Sequence, residues 1–115
     1  AQDTAHDPAA RLAIVPMVLE ARGLDVTPAM LERVKAQGDS HGARILERIL
    51  DDEIRHVALG TKHFLKICRE GNKLPQETWQ NLVRTHFSGR LKPPFNDSAR
   101  HAAGLSLEFY AALAS

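Results

Sequence analysis

An all-α fold is predicted for this 115-residue chain by three observations. Apolar residues recur at helical 3.6 spacing through long windows, and no segment alternates apolar with polar residues as a half-buried strand does. Aromatic residues make up only 5% of the chain, while Ala and Leu are plentiful. No repeat of solenoid period and no low-complexity tract interrupts the pattern.

The first helix is expected over 8–22. Asp7 followed by Pro8 supplies a cap and a preset first turn. The run RLAIVPMVLEAR is apolar nearly all round its axis, which implies burial among other helices. Pro16 inside it removes a backbone donor and should kink it, and Gly23 is expected to end it. Thr27-Pro28 then reads as the start of a short helix ending near Gln37-Gly38, with Met30, Leu31 and Val34 packing across one end.

The longest element is expected over 41–70. Ile45, Leu46, Ile49, Leu50, Val57, Gly60, Phe64, Ile67 and Cys68 share one face, and Arg44, Arg48, Asp51, Arg55, Lys62, Lys66 and Arg69 the other. Gly42 leaves the start open between Ser40 and Arg44, and Gly71-Asn72 marks the stop. Short helices are expected across 75–115. Trp79, Leu82, Val83 and Phe87 form the buried side of the first, with Trp79 and Phe87 as core and cap residues. The loop SGRLKPPFN, with Pro93-Pro94 and the cations Arg90 and Lys92, reads as an extended strap, with the binding of an anionic partner as the alternative. Asn96 or Asp97 caps a short helix to Ala103, and Ser106 opens the last one over Leu107–Ala114.

Bulk properties bound the function. The length allows one domain with a small core. A net charge of +1 argues against a strong electrostatic commitment to nucleic acid or a membrane surface. Cys68 is the single cysteine, so no internal disulfide forms, and it reads as a small core residue. The N-terminus lacks a basic region, a hydrophobic signal core and an initiator Met, which suggests a truncated or processed chain and a cytoplasmic location. No membrane partner is expected.

One pattern carries chemistry. At 100° per residue Glu53 falls at the centre of the apolar stripe of 41–70, and His56 falls just inside its edge. A carboxylate there is costly without a metal ion, a buried base or water to compensate it. Glu20, the one acidic residue of the first helix's apolar run, lies on the side carrying Ala9, Ala13 and Pro16, whose small surfaces leave room beside it. Two plainer readings remain: a helix-edge His56 hydrogen-bonded to Glu53, and a wet helix end around Glu20. Asp3 and His6 form a similar pair without an evident role. His63 is at the edge of the stripe, as an additional donor or an exposed side chain. His41, His86 and His101 are assigned no role.

A lone Glu followed 33 residues later by Glu-x-x-His on an antiparallel partner resembles the second half of the ferritin-like di-iron carboxylate proteins. The stretches RLAIVPMVLEARGLDVTP, RILERILDDEIRHVALGTKHF and THFSGRLKPPFNDSARHAAGLS look like the C-terminal portion of an uncharacterised bacterial ferritin-like family. The resemblance implies that 1–115 is the C-terminal part of a ferritin-like domain. It implies Glu20, Glu53 and His56 as ligands of iron or manganese, with Glu53 as the bridging carboxylate. An upstream helix pair with its own Glu and Glu-x-x-His belongs to that pattern and is not in this chain. A second copy in a homodimer, or a longer chain, would therefore complete a four-helix bundle and a shared di-metal centre. The implied activity is that of an oxidase or hydroxylase of unnamed small-molecule substrate, with RNA substrates open by analogy to relatives that act on modified tRNA. The alternatives are a metal-free helical dimerisation or interaction module, and a metal-storage or metal-stabilised fold without turnover.

Overall fold

The computed structural model of the chain describes residues 7–87 and 91–113, and among these every regular element is a helix. The all-α expectation is therefore met. Asp3 and His6, Ser88 to Arg90 of the strap, and Ala114 lie outside the described residues.

Two rods form the framework. The first comprises α1 (Pro8–Ile14), a π-helical turn (Val15–Glu20) and α2 (Ala21–Ala36). The second is α3 (Ser40–Glu70), whose 31 residues span about 46 Å of a molecule 50 Å long. A tight turn at Gly38 (φ +77°) joins them, and the Asp39 carboxylate caps α3 by accepting from the Gly42 N–H at 2.8 Å. Val34 approaches Gly42, Gly23 approaches Glu53 and Pro16 approaches Gly60, so the rods run antiparallel along their whole length. Three short helices close one side: α4 (Pro75–His86), α5 (Asp97–Ala102) and α6 (Leu107–Tyr110), the last followed by a 3-10 turn (Ala111–Leu113).

The core lies between the first rod, the C-terminal half of α3 and the short helices. Met17, Leu24, Val57, Phe64, Trp79, Leu105 and Tyr110 are fully buried in it. Trp79 meets Phe109 edge to face at 5.8 Å and donates its indole N–H to the Ala13 carbonyl at 3.1 Å. Trp79 and Val83 are the buried residues of α4, with Leu82 and Phe87 packed partly against the core, as their spacing predicts. Cys68 is a core residue, and burial pushes its thiol up from the ordinary cysteine range.

Three expectations are corrected. Gly23 does not end the first helix, and Thr27-Pro28 does not start another. Both lie within α2, which runs to Ala36. A proline at position 28 leaves the carbonyl of residue 24 without its helical donor, and the Asn96 side chain supplies one, donating to Leu24 O at 3.0 Å. Gly23 faces the Glu53 side chain, where a helix without a Cβ leaves space between the rods. At Pro16 the chain widens into the π turn, in which the Ala21 N–H bonds to Pro16 O five residues back.

The third correction concerns the apolar stripe of α3. It is covered unevenly: Ile45 and Ile49 are nearly half exposed, and Leu59 at its edge is more exposed still. Helical phase places these three with His56 and His63 along one uncovered strip, next to the buried line of Val57, Gly60 and Phe64.

The rods approach closely at Gly60. A Cβ there would stand 2.4 Å from Pro16 Cγ and 2.5 Å from its Cβ, and a proline ring cannot swing aside. Gly60→Ala should therefore destabilise the protein by about 1–2 kcal/mol. Overpacking costs about 1–3 kcal/mol, and the higher helix propensity of Ala offsets up to about 1 kcal/mol of it. Urea denaturation checks this, and an unchanged or raised midpoint would show that the rods part there at no cost.

Candidate metal centre

The π turn and the close contact at Gly60 bring three side chains together. Glu20 ends the π turn, Glu53 projects from α3 opposite Gly23, and His56 follows one turn further along α3. One donor atom from each of Glu20, Glu53 and His56 lies within 4.8 Å of the others. Both carboxylates are half-buried, whereas His56 is exposed, further out than its place inside the stripe suggests.

The surroundings favour a cation. Neither Glu20 nor Glu53 forms an ion pair with a basic side chain among the described residues. Two carboxylates brought this close repel whenever both are charged, and a cation between them relieves that repulsion. Donors that share one ion at about 2.1 Å lie at most about 4.2 Å apart, so side-chain shifts of about half an ångström would close this set on a single ion. Two carboxylates with one imidazole suit iron or manganese. The chemistry of the donor set therefore fits the metal that the sequence pattern implies.

Two of the three, Glu20 and His56, line an open depression of about 390 Å³ together with Leu12, Pro16, Leu59, Gly60 and His63, whereas Glu53 is not part of its wall. One wall is apolar and the other carries these two donors. His63 thus borders the same depression, although it is not one of the three grouped donors. His41 and His101 lie on helix surfaces away from it, and the half-buried His86 has an Nδ1 without a partner among the described residues.

A second polar cluster carries no periodic signal in the sequence. Asp25 and Arg100, 75 residues apart, form a buried bidentate pair: Nε donates to Oδ1 at 2.9 Å and Nη2 to Oδ2 at 2.7 Å. Phe95 and Tyr110, edge to face with each other at 4.9 Å, pack together against the guanidinium, their ring centres 4.9 and 4.6 Å from Cζ. Tyr110 donates to Asp97, and burial together with that bond pushes its hydroxyl well above the ordinary tyrosine range. The strap is anchored here, since Arg22 donates to Lys92 O at 2.8 Å and Asn96 N to Asp25 Oδ1 at 2.9 Å.

Comparison with known proteins adds identity but no activity. The family described as a protein of unknown function (DUF455) matches residues 1–111. An uncharacterized protein of Haemophilus influenzae is 37% identical over 106 residues, which cover 92% of this chain and 37% of that protein. The chain thus spans well under half the length of the curated relative it matches. No solved structure matches it. None of the helices described is long and apolar enough to cross a membrane.

Proposed function

This chain belongs to the DUF455 family, and on that footing we propose that it is the metal-binding half of a ferritin-like bundle, with Glu20, Glu53 and His56 holding iron or manganese. The observation that carries the reading is the convergence of these three donors, from two antiparallel rods, at the border of an uncovered apolar strip. A metal bound there would supply one-electron redox chemistry suited to an oxidase or hydroxylase. The protein's part is to bind and orient. Glu53 can bridge to a second ion if one is present, Glu20 closes the set from the π turn, and His56 supplies an imidazole from the open side. Leu12, Pro16 and Leu59 give the depression an apolar wall that limits water near the site.

The uncovered strip of Ile45, Ile49 and Leu59 supports a completing partner, either a second copy of the chain or a further helix pair in a longer protein. The relative's greater length favours the second source. The same exposed strip favours one other reading, a metal-free interaction module, in which the apolar residues serve docking alone.

Elemental analysis after anaerobic incubation with ferrous iron and gel filtration tests the metal reading. About one ion per chain is expected from two metals shared between two halves. A folded sample without retained metal means either that the upstream half is required or that the chain is an interaction module, which the same measurement on a longer chain decides, and metal retained after both Glu53 and His56 are replaced would sink the site assignment.

A further inference from the structure

A second cavity, of about 240 Å³, opens on another side of the first rod and is lined by none of the three candidate metal ligands. Its walls are apolar, formed by Val18 of the π turn, Phe87 after α4, and Leu91 and Phe95 of the strap. Its charges are unbalanced in one direction: Arg22, Lys92 and Arg100 contribute three cations against the single carboxylate of Asp25. That carboxylate is already engaged by Arg100 on both oxygens.

Arg100 is 3% exposed, and its Nη1 is buried with no hydrogen-bond partner among the described residues. A buried guanidinium nitrogen without an acceptor is costly, because its lost hydration is not replaced. The fork is fixed by Asp25, which accepts from both Nε and Nη2, and the adjoining rings of Phe95 and Tyr110 pack against it, so it cannot rotate to find an acceptor elsewhere. An oxygen brought by a ligand would satisfy Nη1, while Lys92 and Arg22 at the mouth would offset the remaining negative charge.

We propose that this cavity binds a small organic anion with an apolar body, its acidic head on Arg100 and its body against Val18, Phe87, Leu91 and Phe95. The volume sets the size. At about 30 Å³ per water it equals about eight waters, close to a ligand of about eight non-hydrogen atoms and smaller than a drug-sized molecule. A short alkyl or aryl carboxylate meets this description, and a phosphate monoester of similar length shares the chemistry. The proposal does not rest on the metal reading.

Hexanoate is a suitable probe, compared with 1-hexanol, hexyl phosphate and inorganic phosphate at constant ionic strength in an amide and guanidinium NMR titration. Saturable shifts at Leu91, Phe95 and Arg100 are expected with hexanoate, and binding of hexanol at least tenfold weaker. Tighter binding of hexyl phosphate than of hexanoate would assign the head group as a phosphate monoester. Leu19→Glu, which places a carboxylate on the exposed lip of the cavity without touching the core, should weaken hexanoate at least fivefold. Arg100→Lys, provided that it folds, should weaken it further. The proposal is overturned if neither organic anion saturates, if hexanol binds as well as hexanoate, or if the shifts map elsewhere.

Discussion

Asp25→Ala should cost the protein about 3–5 kcal/mol of stability, the largest loss expected from any single substitution outside the apolar core. The Asp25 side chain is 1% exposed and that of Arg100 is 4% exposed. Removing the carboxylate leaves a buried guanidinium with no counter-charge, and it also frees the Asn96 N–H that anchors the end of the strap. The neighbouring rings of Phe95 and Tyr110 retain part of its stabilisation but supply no acceptor. Urea denaturation of the single variant measures the loss. The double variant Asp25→Leu with Arg100→Met provides the control, because replacing a buried pair with apolar groups of similar size is often neutral. A double variant as unstable as Asp25→Ala would mean that the pair is needed for something other than mutual neutralisation.

Glu53→Ala should abolish retention of ferrous iron while leaving the fold intact. Glu53 is the central donor, facing Glu20 across the gap that Gly23 leaves open, and without it the remaining two donors come from separate rods. His56→Ala removes an exposed donor and should weaken binding at least tenfold without abolishing it. In the metal-free protein, Glu53→Ala also relieves the repulsion between the two carboxylates, so its thermal midpoint should be equal to or above that of the parent. Iron content and thermal unfolding of the same samples check both effects. Full metal retention in Glu53→Ala would remove this residue from the ligand set, and a strong fall in the midpoint would show that its carboxylate is a structural acceptor.

Much of the framework was legible because its signals are local. The end of α3 follows from the stop at Gly71-Asn72, where Asn72 adopts the left-handed conformation at φ 54°, whereas its start, left open between Ser40 and Arg44, is fixed by the Asp39 cap. The cap of α5 is likewise local, with Asn96 Oδ1 accepting from the Ala99 N–H at 3.3 Å. The shared face of Glu53 and His56 could be anticipated for a similar reason, because three-residue spacing on a helix fixes it. Glu20 joined them only through the family resemblance.

The misreadings arose where a distant group overrode a local one. Gly23 and Pro28 are stop signals for an isolated helix, and nothing near them in the chain reveals that Asn96 would serve the Leu24 carbonyl. The exposed strip of Ile45, Ile49 and Leu59 obeys helical periodicity, but periodicity states only which residues share a face, and not whether anything covers it. The all-helical class, the end of α3 and the face shared by Glu53 and His56 were thus set by the sequence, because each depends on spacing within a few turns of chain. The continuous first rod, the Asp25–Arg100 pair and the cavity beside it were decided by tertiary structure alone, because each depends on partners about 70 residues apart that only packing brings into contact.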